Sequence, residues 1–353
     1  MTEHMKSICI TSPDNISLTT RPVPVPGPGE VRVALRYVGY CGSDLSSFQG
    51  RNPMVDFPRV PGHELSGVID DIGTAVPHGY VTGQQVTILP YFNCGTCIAC
   101  RNNRPNACRN NQTMGVQREG ALSEYTCVPY RHIIPVDTLC QRDTALVEPL
   151  AVGFHAVERA RIQPGEKVVV LGVGMIGLGI LLAALRKGAH VIAVDLSAKK
   201  LEIARQLGAV EIINASTEDV ITRLLSLTNG EGPSVILEAA GSPHTFRQAV
   251  DVASQCARVV YVGYTKVPVE FETRLFVSKE IEILGSRGAT RQDFEKVIGF
   301  LHDNPACADI IISRTVSIEQ ADSAMREWAA NPGGITKILV RLGNANADNG
   351  DKK

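Results

Sequence analysis

The sequence has no run of ~18 consecutive apolar residues, so no part of it is expected to cross a bilayer as a helix. Even Ile176–Leu185 is interrupted by glycines. An excess of charge is also missing: 35 Lys and Arg against 36 Asp and Glu leave a net −1. That balance gives no electrostatic reason to expect nucleic acid or an anionic membrane as partner. Met1–Ser7 contains Glu3, His4 and Lys6 but no apolar h-region, so no signal peptide and a cytoplasmic location are expected. There is no internal repeat. In a reducing compartment, ten cysteines need a purpose other than disulfides.

What is present is enough for about two domains in 353 residues. Ile8-Cys9-Ile10 and Glu30–Leu35 alternate with period two, and Gly67–Ile72 and Gln85–Leu89 are glycine-bounded strand runs. The first 150 residues therefore read as a mostly β, turn-rich domain. From Lys167 apolar strands alternate with amphipathic helices: Val168–Leu171, Ile176–Arg186, His190–Asp195, Ala198–Leu207 and onward to Ile281–Gly285. That alternation predicts an α/β unit with a doubly wound parallel sheet. A helix at Arg291–Asp303 and a strand at Ile335–Val340 follow, and the polar tail Asn344–Lys353 is expected to be disordered.

Gly172-Val173-Gly174-Met175-Ile176-Gly177 is a GxGxxG placed directly after a buried strand and opening a helix. The first glycine allows the turn, the second admits a pyrophosphate, and the third lets helix and strand pack. Free N–H groups at the helix start favour the phosphates. Asp195, 18 residues past Gly177, ends the next strand, where it would bind the adenosine ribose hydroxyls and repel a 2′-phosphate. NAD is thus expected over NADP, with Lys200 near the same ribose. A tight glycine turn without ligand is the plain alternative.

Cys94, Cys97, Cys100 and Cys108 fall within 15 residues. Four thiolates make a closed, structural Zn²⁺ site, with a 4Fe–4S cluster or disulfides as alternatives. Cys41 in Tyr40-Cys41-Gly42-Ser43-Asp44 precedes Gly62-His63-Glu64 by some twenty residues. Cys, His and Glu are the ligand types of a zinc with one position open for chemistry; an accidental meeting of a core Cys, a capping His and a surface Glu is the other reading. Glu148 stands in the apolar run Leu146–Leu150 and, if buried, needs a partner.

In this order, Cys41, Gly62-His63-Glu64 with Gly67, Gly73 and Val76, the four-cysteine lobe and the GxGxxG resemble the zinc-dependent medium-chain alcohol and polyol dehydrogenases over residues 6–341. The resemblance implies a GroES-like catalytic domain of residues 1–150 and 291–353 around a Rossmann NAD-binding domain of residues 151–290. It implies two zinc ions: a structural one on the four cysteines, and a catalytic one on Cys41 and His63, with Glu64 and Glu148 sharing the third place. Glu148, where simple alcohol dehydrogenases use cysteine, is the pattern of sorbitol, threonine and hexonate dehydrogenases. The closest look is to enzymes oxidising a hexonate such as L-galactonate or L-gulonate at C5, with other polyol or threonine-type activity as alternatives and a non-catalytic NAD-binding protein as the rival class. By the same resemblance, Ser43 takes the substrate proton and Arg287 meets the substrate, a carboxylate suiting its forked guanidinium. The family's relay histidine is replaced by Ser46. Family members are dimers or tetramers, and Arg258–Tyr264, if an edge strand, would pair between subunits.

Overall fold

The computed structural model describes residues 3–343; the tail expected to be disordered lies outside them. The chain forms two compact units, residues up to Glu148 together with those from Val297, and residues from Pro149 to Lys296. Each junction falls inside a helix, Val147–Ala160 or Arg291–Asp303.

In the first unit the hairpin His4–Ser12/Asn15–Pro22 accompanies a larger mixed sheet. The strands of that sheet run Ile312–Ser317, Lys337–Arg341, Glu30–Gly39, Glu64–Ile72, Gln85–Ile88 and Ile133–Pro135, with Tyr125–Pro129 also on Glu30–Gly39. Val31, Val33, Leu35 and Val38 of the central strand are buried with Leu65, Ile69, Val86, Ile338 and Val340 in one core. The C-terminal strand joins it antiparallel, Leu339 opposite Gly39. Strand Ile312–Ser317 and helix Ala321–Ala330 were not expected from sequence. Helix Ala321–Ala330 buries Ala321, Ala324, Met325 and Trp328 in the same core.

The second unit is built on six parallel strands in the spatial order Glu211–Asn214, His190–Asp195, Lys167–Leu171, Val235–Glu238, Arg258–Tyr261, Glu282–Gly285. This is the doubly wound sheet that the sequence predicts. Its central strands carry short apolar runs, as in parallel sheets buried on both faces, and Val168–Leu171 is fully buried. One expectation is corrected: Arg258–Tyr261 is not an edge. It lies between two strands with Val259 and Val260 buried, as a fully apolar pair requires. The edges are Glu211–Asn214 and, on this side, Glu282–Gly285, where Ile283 is 42% exposed. Among the described residues no helix is long and apolar enough to cross a membrane.

Candidate metal and dinucleotide sites

Cys41 caps the N-terminus of helix Gly42–Phe48, and Glu64 opens the strand Glu64–Ile72. Asp44, buried on that helix, ties the two segments together. One carboxylate oxygen accepts the Cys41 N–H at 2.9 Å and the other the Gly62 N–H at 3.2 Å. One donor atom each from Cys41, His63 and Glu64 then lies within 4.8 Å of the others. His63 and Glu64 are buried, and His63 Nδ1 is a buried polar atom without a hydrogen-bond partner among the described residues. A thiol, an imidazole and a carboxylate so close together, one ring nitrogen unanswered, fit a zinc ion.

Glu148 is not a member of that trio. It sits buried in the first turn of helix Val147–Ala160 and accepts the hydroxyl proton of Tyr91 at Oε1. Burial pushes its carboxyl up to about 7, against the pull of His63. Burial works the other way on His63, but the neighbouring Cys41, Asp44 and Glu148 outweigh it and hold the imidazole well above its usual range. Burial thus dominates at Glu148 and the neighbouring charges dominate at His63.

Ser43 lies on the same short helix, and its buried Oγ has no partner among the described residues. Ser46 is half-buried three residues on. Both hydroxyls are therefore placed on one helix with Cys41 at its head.

The four cysteines of the lobe are brought together as a second group. Their sulfurs approach to 3.5 Å for Cys97 and Cys100, 3.8 Å for Cys97 and Cys108, and 3.5 Å for Cys94 and Cys108. None of the four is in a disulfide. Disulfide sulfurs would stand at about 2.05 Å, whereas a tetrahedron with Zn–S bonds of about 2.3 Å has edges of roughly 3.8 Å. The donor set fits a tetrahedral metal.

In the second unit the glycine turn separates three roles. Gly172 has φ +88°, and a Cβ there would press on Ala240; a Cβ on Gly177 would collide with the Gly172 carbonyl. Around Gly174 no protein atom lies within 4 Å of a built Cβ, so the protein itself gives no reason for a glycine there. A ligand's close approach does. Met175 and Ile176 begin the helix Met175–Arg186. Asp195 accepts the Val173 N–H and the Ser197 N–H, each at 2.9 Å, so the acid is fastened to the turn it faces. Lys200, half-buried, lies in the first turn of helix Ala198–Gln206 capped by Ser197. Arg287 belongs to this unit and is exposed just beyond strand Glu282–Gly285.

Three residues at the metal site went unassigned in the sequence reading: Asp44, Tyr91 and Lys337. Lys337 is 1% exposed and pairs with Glu64. The signal for it was a lone charge in the apolar run Ile335–Val340, which must find a partner once buried. Asp44 stood in the quoted Cys-Gly-Ser-Asp motif without a role.

Two family models match the chain: an alcohol dehydrogenase GroES-like domain over residues 27–138 and a zinc-binding dehydrogenase over residues 175–303. The L-galactonate-5-dehydrogenase of Escherichia coli K12 is 34% identical over 310 residues, 88% of this chain and 91% of that protein. The structure of the E. coli CFT073 short chain alcohol dehydrogenase rspB, complexed with cofactor NADH, is similar with a TM-score of 0.89. It is 31% identical and covers 96% of this chain and 99% of its own. A zinc-binding dehydrogenase from Sinorhizobium meliloti 1021, bound to NADP, has a TM-score of 0.88 at 30% identity, with 96% and 99% covered. The thiol–imidazole–carboxylate trio, the cysteine lobe and the glycine turn are thus found in a chain that belongs to the zinc-type medium-chain alcohol dehydrogenase family.

Proposed function

We propose that this protein oxidises a secondary hydroxyl of a sugar acid or sugar alcohol, with a hexonate such as L-galactonate or L-gulonate attacked at C5 as the substrate and NAD as the hydride acceptor. The observation that carries this is the trio Cys41, His63 and Glu64, the last two buried, with the Ser43 hydroxyl on the helix that Cys41 heads and without a partner among the described residues. Cys41 and His63 with a glutamate would hold one zinc, and the four-cysteine lobe a second. Bound there, the first zinc supplies Lewis acidity that lowers the pKa of an alcohol. Ser43 Oγ takes the substrate's proton and hands it on towards solvent past Ser46, which stands where the family's histidine would serve. Burial of the site excludes bulk water from the reacting group.

The cofactor would lie on the turn Gly172–Gly177 over the N-terminus of helix Met175–Arg186, with Asp195 and Lys200 at the ribose. Asp195 supports NAD over NADP, because a carboxylate repels a 2′-phosphate. The similarity to an L-galactonate dehydrogenase supports a hexonate, and Arg287 suits its carboxylate. Cysteines that form no disulfide among the described residues fit a reducing cytoplasm. A homodimer or homotetramer fits the bare edge strand Glu282–Gly285, with Ile283 and, nearby in sequence, Val277 exposed.

NADH formation at saturating NAD, measured over a panel of hexonates, sugar alcohols and threonine, tests the assignment. Turnover of a hexonate above the rest is expected. Threonine as the preferred substrate would replace the substrate class, and no turnover with fewer than two zinc per chain would favour a non-catalytic NAD-binding protein.

A further inference from the structure

Lys337 is one of the largest fully buried side chains in the protein. Register explains how it reaches the metal site. Its strand runs antiparallel to Glu30–Gly39, with Leu339 opposite Gly39, and the Tyr40 N–H donates to the Ile338 carbonyl at 3.0 Å. On the other side Gly39 pairs with Glu64. Three neighbouring strands therefore bring Lys337, Tyr40 and Glu64 to one place. The Lys337 ammonium donates to the Tyr40 carbonyl at 3.0 Å and to the Glu64 carboxylate. Both acceptors adjoin metal-ligand candidates: Tyr40 precedes Cys41, and Glu64 follows His63. The seat of the carboxylate is shaped for it, since a Cβ on Gly39 would collide with Glu64 Oε2.

We propose that Lys337 is a positioning residue of the catalytic metal site; this rests on the reading above that Cys41, His63 and a glutamate hold zinc. Lys337 keeps the Glu64 carboxylate beside the metal but out of its ligand set. The third place then falls to Glu148, whose carboxylate is met by the neutral hydroxyl of Tyr91. A dication with one thiolate and two carboxylates carries a net −1, and the ammonium cancels it. The metal would thereby keep its strength as a Lewis acid. A buried lysine whose two resolved bonds both end beside ligands has a stronger reason to be there than general stability, because an apolar residue would fill the same strand position without desolvating a charge.

Cobalt(II) exchanged for zinc in the intact protein reports its ligands through visible absorption, with the tetrathiolate lobe as an internal reference. In the wild type a second band set from the Cys41–His63 site is expected. Glu64→Gln should leave those bands in place, because Glu64 is not a ligand. Lys337→Met should shift them as the released carboxylate turns to the metal, and the double variant Lys337→Met/Glu64→Gln should restore them. Lys337→Arg, which keeps a cation there, should stay near the wild type. A band shift in Glu64→Gln would make Glu64 a direct ligand and overturn the proposal, and this test does not depend on Lys337→Met folding. Wild-type bands in Lys337→Met would overturn it equally. A wild-type protein showing the tetrathiolate bands alone would overturn the metal-site reading itself, and the lysine's role with it.

Discussion

Tyr91 is a small lever on a large charge. Its hydroxyl donates to a buried carboxylate, and partners that orient a metal ligand are commonly worth about 10–100-fold in affinity or activity. Tyr91→Phe is therefore expected to lower kcat/KM by that order while the lobe keeps its metal, as zinc analysis beside steady-state kinetics would show. Glu148 itself predicts a pH dependence for the zinc-stripped protein. Its carboxyl is raised from 4.5 to about 7 by burial, so between those values the folded chain holds a proton that the unfolded chain has released. Stability of the stripped protein must then fall as pH rises from about 4.5 through about 7. Urea midpoints across that range should show the decline, and Glu148→Gln should flatten it. The trio at this site was readable because Gly62-His63-Glu64 keeps two of its members adjacent. Lys337 was not, because its partner Glu64 lies 273 residues away and only the sheet register joins them.

The glycine turn and the helix near it show what local pattern can and cannot reveal. A Cβ at Gly174 meets no protein atom, whereas one at Gly177 strikes the Gly172 carbonyl. Gly174→Ala should leave thermal stability close to wild type and weaken NAD binding by about 1–3 kcal/mol, the cost of overpacking, or roughly tenfold or more. Gly177→Ala should instead lower stability. Calorimetry of unfolding and fluorescence titration with NADH separate the two. In the same unit Asp293 ties the start of helix Arg291–Asp303. It accepts the Thr290 N–H at 2.9 Å and the Thr290 hydroxyl at 2.6 Å, and pairs with His155 at 2.9 Å. Burial opposes its charge, but these bonds hold the carboxyl below its ordinary 3.8. The stability it adds is present above that pH and lost as pH falls through the lower folded value. Asp293→Asn should cost about 1.5–3 kcal/mol near neutrality and little in strong acid, read from urea melts at both.

The strands of the parallel sheet were legible from their short apolar runs, such as the fully buried Val168–Leu171, and helix Arg291–Asp303 because Phe294, Val297, Ile298 and Leu301 recur at helical spacing. Strand Ile312–Ser317 was missed for the opposite reason. Four of its six residues are polar and only Val316 is buried, and its place is set by the neighbouring strand Lys337–Arg341.

At the scale of the whole molecule, the order of strands matters more than their existence. The run Arg258–Tyr261 looked like a sheet edge because it is apolar, yet apolarity marked an interior strand, and the edge beside it, Glu282–Gly285, carries exposed Glu282 and Ile283. If that edge joins two copies, Ile283→Lys should place a desolvated charge in the pairing and shift the mass seen by light scattering to a smaller species. Unchanged mass would put the association elsewhere. The antiparallel joining of the last strand to Glu30–Gly39 makes the first unit a product of both chain ends, and it carries Lys337 to the site. No local window of sequence holds that information.

The most direct test of the account is a paired measurement of zinc content, NAD binding and NADH formation from a hexonate, in the wild type and in Cys41→Ser. The account predicts about two zinc per chain and turnover in the wild type, and about one zinc, intact NAD binding and no turnover in Cys41→Ser. Full activity in a Cys41→Ser protein that has lost that zinc would contradict it.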